Sequence, residues 1–446
     1  MIITKAQRGY CLAKVKLDGN SIQALSGMPG FKRWSGRDLL FAPTGANITH
    51  LNKFWPEAEW DESAKPLLDE YIATLHEAER TREEKDKEFS DKYDFIFKTQ
   101  PYDHQLKAFY LSRDKEAFAL LMEQGTGKTK VGIDNAAYLY GQGKITALVI
   151  IAPNGVHRNW LNKEIPAHMP EWCPHKSVFY FSGMGVKDTA KFDELMLEED
   201  CLKIFSFNCE AFVSKTAVAM MGRVLLANSV MLIVDESSRI KTPGAKRTKV
   251  ITKFGKMAKY RRIMTGTPVT KGPEDIFSQF RFLDHRILGY DSFWSFRARY
   301  CVMGGYEQKQ IVSYQNVDEL TSSIEGHSFR VLKKDCLDLP DKIYQRHTVE
   351  LSKKQRKLYD QLRKDFVVEM EGEHLSAPEA ITRLLRLQQI ICGWFPTEDG
   401  TVAIDDKNTR LSALLDLLPD IECKVIIWAR FKRDIKAIEG ALGSKA

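Results

Sequence analysis

From Phe95 onward the chain repeats one pattern: a short apolar run, a polar turn, then a segment with helical spacing. The runs are "FALLME", "ALVIIAP", "LKIFSFN", "VMLIVDES" and "RRIMTGT". Continuous apolar runs of this length, each followed by a helix, predict a parallel sheet buried on both faces. Ahead of them, "CLAKVKLDGNSIQALSGMPGFKRWSGRDLLFAP" alternates apolar and polar residues and breaks at Asp18-Gly19-Asn20, as short strands around a helix do. "LLDEYIATLHEAERTREEKDKEF" has helical periodicity and passes into a mixed-charge run without apolar anchors, the pattern of a solvated helix or linker. Residues 286–400 read mainly as helix, and "KVIIWAR", Lys424 to Arg430, reads as a strand opening a second sheet. The expected division is a small α+β domain over 1–60, a helical linker over 61–95, an α/β lobe over 96–285, a helical bridging region over 286–400 and the beginning of a second lobe over 401–446.

Composition narrows this picture only a little. A chain of 446 residues exceeds one ordinary core, so two or three domains are expected. A formal net charge of +7 permits a polyanionic partner without pointing to one. The eight cysteines include no Cys-x-x-Cys pair, and the amino terminus "MIITKAQRGY" has no apolar run behind its charges. A reducing, cytoplasmic compartment is therefore expected, with neither signal peptide nor disulfide framework. His168, Cys173 and His175 cluster in "HMPEWCPH", but without a second half they read as a loop and not as zinc ligands. No apolar span has the length of a bilayer crossing, so no membrane partner is expected.

The candidate chemistry begins at "LLMEQGTGKTKVG", Leu120 to Gly132. A strand delivering "GTGKT" into a helix places Gly125, Thr126 and Gly127 where backbone N–H groups can wrap phosphate oxygens, and the helix start adds partial positive charge. Lys128 would reach the outer phosphates of a nucleotide and the Thr129 hydroxyl would ligate magnesium. The alternative is a Gly-rich turn with a capping threonine, because Met122 stands where the first glycine of the usual phosphate loop is expected. In "MLIVDESS", Asp235 and Glu236 stand where an apolar strand emerges into a polar loop. One carboxylate there can hold magnesium through water while its neighbour orients an attacking water, although a lone Asp-Glu at a strand end reads first as a capped loop.

Taken in order, "HQLKAF", "MEQGTGKT", "VIIAPNGVHRNW", "VDESSRIK", "MTGTPV", "LPDK" and "VIIWARF" resemble successive motifs of superfamily 2 helicases, above all the Swi/Snf-type double-stranded DNA translocases. That family's loop also lacks the first glycine, so Met122 fits a working variant. The resemblance implies a RecA-like, P-loop α/β lobe, the start of a second such lobe, ATP and Mg2+ as cofactors, and DNA as partner. Duplex, forked or branched DNA is expected ahead of RNA.

The resemblance also implies roles for particular residues. Gln105 would read the adenine edge, although Asp103 and His104 replace the residues usually found before it. In "APNGVHRNW", Pro153, Asn154 and Arg158 would face a nucleic-acid backbone, with Trp160 in the core. "DESSRIK" departs from Asp-Glu-Ala-His at Ser237 and Ser238, so the histidine link to the coupling motif is lost or replaced by a hydroxyl. Thr265, Gly266 and Thr267 in "MTGTP" would relay nucleotide state toward DNA. "SFRVLKKDCLDLPDK", with Arg330, Lys333, Leu339 and Pro340, looks like the Arg-x-x-Lys…Leu-Pro segment leading into the second lobe. The amino-terminal segment is similar to the HARP-type module of annealing helicases and to small leading domains of phage helicases. Arg33, Trp34 and Arg37 would there offer charge and a stacking face to DNA, unless Trp34 is simply core. The family's arginine-finger motifs lie downstream of the last residue, which suggests a carboxy-terminally incomplete form with slow turnover. The expected protein is a monomeric ATP-dependent DNA translocase of bacterial or phage type. An RNA helicase and a non-catalytic ATP-switched nucleic-acid-binding protein are the alternatives.

Overall fold

The computed structural model of the chain describes residues 2–6, 11–14, 28, 31–35, 38–41, 44–85, 94–308, 310–340, 342–371, 377–397 and 400–443. It divides into two compact units, Met1–Leu339 and Pro340–Ala446.

The first unit holds two sheets. Strands β1 (Ile2–Lys5), β2 (Cys11–Lys14), β3 (Phe31–Ser35), β4 (Asp38–Phe41) and β5 (Glu59–Trp60) lie in the order β3-β4-β2-β1-β5. Helix α1 (Gly45–Phe54) accompanies this sheet, its first turn capped by the Thr44 hydroxyl accepting from Asn47 N–H at 3.2 Å. Ile3, Cys11, Ala13, Phe41 and Leu51 form its small core. Helix α2 (Lys65–Lys85) differs from the expected solvated linker, because Tyr71, Ala78 and Thr81 are buried on it. A Cβ on Gly326 would meet that of Ala78 at 2.4 Å, so a glycine is what lets α2 lie directly on the larger domain. Arg82 and Lys85 donate to the carbonyls of Ser322 and Glu325, each at 2.6 Å.

The larger sheet contains β6 (Ala117–Met122), β7 (Ala147–Ala152), β8 (His175–Phe179), β9 (Leu202–Asn208), β10 (Val230–Asp235), β11 (Tyr260–Met264) and β14 (Ser328–Val331). Their order is β14-β6-β11-β10-β7-β9-β8, and every pairing is parallel. Alternate residues of one strand enter different cores. Ala119, Leu121, Val149, Ile151, Leu232 and Val234 pack on one face, and Leu120, Met122, Leu148, Ile150, Met231 and Ile233 on the other. The continuous apolar runs are thus two alternating faces, each covered by helices. This is a RecA-like arrangement, and helices α3 (Asp103–Ser112) and α4 (Lys128–Gly141) lead into and out of β6.

Beyond residue 285 the chain is less helical than its spacing suggests. Strands β12 (Cys301–Gly304) and β13 (Gln310–Tyr314) form an antiparallel hairpin, and β14 returns to the main sheet beside β6. The second unit consists of helices Lys353–Glu371, Ala377–Ile391, Thr409–Leu417 and Lys432–Leu442 with a hairpin of β15 (Trp394–Thr397) and β16 (Gly400–Ala403). Lys424–Arg430, expected as a strand, makes no ladder; Ile426 and Trp428 are exposed. A lone strand leaves its backbone groups unpaired, and no strand flanks this segment among the described residues.

Candidate active site

In the sheet order, β6, β11 and β10 are neighbours, with Leu120 opposite Met264 and Met264 opposite Asp235. Their carboxyl ends carry the glycine-rich loop, Thr265–Thr267 and Asp235–Glu236. Parallel strands bring all three to one edge, where open α/β sheets bind ligands.

The loop after β6 turns through Gly125 at φ +86° and Gly127 at φ +84°, a left-handed region costly for other residues. A Cβ on Gly127 would also stand 2.1 Å from Gln105 Nε2. The Gln105 amide is occupied within the loop: its Oε1 accepts from Tyr102 N–H at 3.1 Å and its Nε2 donates to the Thr126 carbonyl at 3.1 Å. His104 Nε2 lies 2.8 Å from the same carbonyl, and its ring stacks on Tyr102. Gln105 therefore holds the loop's shape, and an adenine edge would have to displace these bonds. Thr126 is buried with its hydroxyl donating to Glu123 O at 2.7 Å. Lys128 and Thr129 begin α4. That helix packs closely on the sheet, because Gly132 leaves room for Met264 and Ile233.

The acidic pair meets this loop. Lys128 Nζ stands 3.6 Å from Glu236 Oε1. Glu236 itself adopts φ 48°, ψ 57°, a left-handed turn that carries strain and aims its carboxylate back over the strand ends. Asp235 is buried and accepts from Trp160 Nε1–H at 2.9 Å and from Glu236 N–H at 3.0 Å. Burial pushes its carboxyl above the usual range, and the Trp160 bond and Lys128 oppose that rise while Glu236 adds to it. Trp160 is core, as expected, but it is also a carboxylate donor that sequence spacing did not expose. It opens a π-helical turn, Trp160–Glu164, the kind of irregularity found at functional sites.

The third strand end joins both. Thr265 Oγ1 donates to Glu236 Oε2 at 3.3 Å and accepts from Thr267 N–H at 3.2 Å. A Cβ on Gly266 would lie 2.9 Å from Gln124 N and 3.2 Å from Glu123 Cα, so the two loops touch backbone to backbone. The Ser237 hydroxyl is buried and donates to Gln279 Oε1 at 2.7 Å. The Gln279 amide in turn donates to Pro268 O at 2.7 Å and Asp275 O at 2.8 Å. Gln279 is a second residue that the motifs did not reveal.

The remaining candidates lie elsewhere. Pro153 is buried, with its carbonyl accepting from Val156 and His157 N–H, while Asn154 and Arg158 are exposed. Arg158 lies 5.0 Å over the Phe179 ring. Arg33 and Trp34 fall on β3, opposite Leu40 and Leu39, and Arg37 lies outside the described residues. Among the described residues no group of three His, Cys, Asp or Glu could hold a metal by itself. An ion bound by Thr129 and Asp235 would therefore take most of its ligands from phosphate or water, as magnesium does. All eight cysteines are free thiols, and among the described residues no helix is long and apolar enough to cross a membrane.

Several known proteins are similar to this chain. A SWI/SNF-related matrix-associated actin-dependent regulator of chromatin subfamily A-like protein 1 homolog from Caenorhabditis elegans is 27% identical over 253 residues, covering 54% of this chain and 32% of the relative. The bovine DNA annealing helicase and endonuclease ZRANB3 is 26% identical over 262 residues, covering 57% of this chain and 22% of the relative. The chain thus spans less than a third of the length of these relatives. The Sulfolobus solfataricus SWI2/SNF2 ATPase core in complex with dsDNA matches 79% of this chain and 72% of its own at 20% identity and TM-score 0.44. The model of the SNF2-related domain matches residues 79–393, which take in the glycine-rich loop, the acidic pair and the strand end Thr265–Thr267, and the chain belongs to the SNF2-related family.

Proposed function

We propose that the chain is the ATP-binding part of a DNA-dependent ATPase that translocates on, or remodels, duplex or branched DNA. The observation that carries this is the convergence of Lys128 and Glu236 at 3.6 Å from strands far apart in sequence. Family membership supports it, as does the name of the bovine relative, a DNA annealing helicase.

In this reading Lys128 exchanges Glu236 for the outer phosphates of ATP. Glu236, released from the cation, orients the attacking water. Asp235 and Thr129 hold Mg2+, which supplies charge neutralisation on the phosphate oxygens when bound. Trp160 fixes the carboxylate of Asp235 in place. Because Thr265 bonds to Glu236, the state of that carboxylate is passed to the end of β11, and the Ser237–Gln279 pair carries it to Pro268 and Asp275. Asn154 and Arg158 offer exposed donors for backbone phosphates, and the amino-terminal module with Arg33, Trp34 and Arg37 is a second nucleic-acid contact. Phosphate contacts imply weak sequence preference and strong salt dependence.

The test is ATP turnover with duplex DNA, forked DNA, single-stranded DNA and RNA, for the chain and for Lys128→Ala. Stimulation by duplex or forked DNA that disappears in the variant is expected. Turnover unaffected by Lys128→Ala would overturn the site assignment, and stimulation by RNA alone would point to an RNA helicase.

A further inference from the structure

A second lysine reaches the phosphate loop from 205 positions away in sequence, since Lys333 follows β14 and Lys128 follows β6. The pairing of β14 with β6 sets Val331 opposite Met122, and Glu123 N–H donates to Val331 O at 3.0 Å. Two residues on, Lys333 N–H donates to Glu123 Oε2 at 2.8 Å. These bonds anchor the Lys333 backbone to the loop. Its side chain then runs over Gly125: a Cβ there would stand 3.3 Å from Lys333 Cε and 3.6 Å from its Nζ. Among the described residues no carboxylate pairs with the Lys333 ammonium.

We propose that Lys333 is a second phosphate-binding cation of this site, acting from the side of the loop opposite the Lys128–Glu236 pair and joining nucleotide occupancy to the segment that leaves the first unit. The proposal rests on the nucleotide reading above. Three observations support it. The ammonium lies against a glycine whose missing side chain opens the loop, it makes no ion pair among the described residues, and its backbone is tied to a loop residue. A flexible surface lysine would show none of the last. The segment carrying it ends six residues later at the boundary between Leu339 and Pro340. A phosphate drawing in the ammonium would therefore act on the start of the connection to the second unit.

The test is calorimetric titration of the 446-residue chain with ATP, ADP and AMP. It compares the wild type with Lys333→Met, which keeps the aliphatic stem over Gly125, with Lys333→Arg, which keeps the charge, and with Lys128→Ala. A charge-assisted contact at a partly exposed site is worth about tenfold in affinity. Lys333→Met should lose about that for ATP and ADP and little for AMP, while keeping its melting temperature, and Lys333→Arg should retain most of the affinity. If Lys333→Met binds ATP like wild type while Lys128→Ala does not, the role of Lys333 is overturned and the site stands. Equal loss in the Met and Arg variants, with a lowered melting temperature, would show a packing role and overturn the proposal. If neither Lys333→Met nor Lys128→Ala alters binding, the nucleotide reading itself falls.

Discussion

Glu236→Gln separates the two tasks that the proposed function gives this carboxylate. Its Oε1 stands 3.6 Å from Lys128 Nζ, with the lysine side chain 9% and the glutamate side chain 33% exposed. Two unit charges at that distance attract by about 1 kcal/mol in water and about 5 kcal/mol at the effective dielectric of a protein surface. With one partner a third exposed, screening reduces the effect toward the lower figure, to about 1–2 kcal/mol. A triphosphate must displace that attraction to win Lys128, and it must also approach a like charge. Removing the charge therefore tightens ATP binding by about 5–30-fold. Turnover should fall by about a hundredfold or more, because the group proposed to orient the attacking water is gone. The bond from Thr265 survives, since an amide can still partner a hydroxyl. Equilibrium binding of ATP and DNA-stimulated turnover, measured on the same preparation, check both arms. Weaker ATP binding in Glu236→Gln, or turnover close to wild type, would refute the argument.

Trp160→Phe removes the 2.9 Å bond to the buried Asp235 carboxylate and should cost about 1–3 kcal/mol in chemical denaturation, with a raised magnesium requirement for turnover; unchanged stability and magnesium response would show that the bond does neither. His327 provides a pH test. Burial holds its imidazole down at about 4, against an ordinary 6.5. As pH falls the unfolded chain takes this proton first, so stability is intact above pH 6.5 and is lost on the way down to pH 4, by about 3 kcal/mol for this group. His327→Gln should flatten that decline in denaturant titrations between pH 7 and 4, and an unaltered slope would refute the assignment.

Much of this site could be read from residue types because its parts are contiguous. "GTGKT" and "VDES" each sit at the end of an apolar run, and sheet order alone brings such ends together. Partners that act across long separations were not legible. Trp160 meets Asp235 from the first residue of a π-helical turn well beyond β7, and Lys333 meets Gly125 because β14 pairs with β6. The four residues "SFRV" of β14 are too few and too mixed to announce a strand, while "KVIIWAR" has the composition of one and no neighbour to pair with. The helix over Lys65–Lys85 reads as solvated because its buried residues are Tyr71, Ala78 and Thr81 and Arg82 and Lys85 bond to carbonyls of the larger domain, a mixture that leaves no continuous apolar stripe.

The approach of Gly266 to Gln124 N and Glu123 Cα has a practical bearing on how this machine can be dissected. Substitution surveys that trim side chains to alanine leave main-chain contacts in place, so they would score the neighbouring threonines and pass over the surface where the two loops meet. Only the reverse experiment, adding a methyl group where none exists, wedges the loops apart and makes that surface visible to selection.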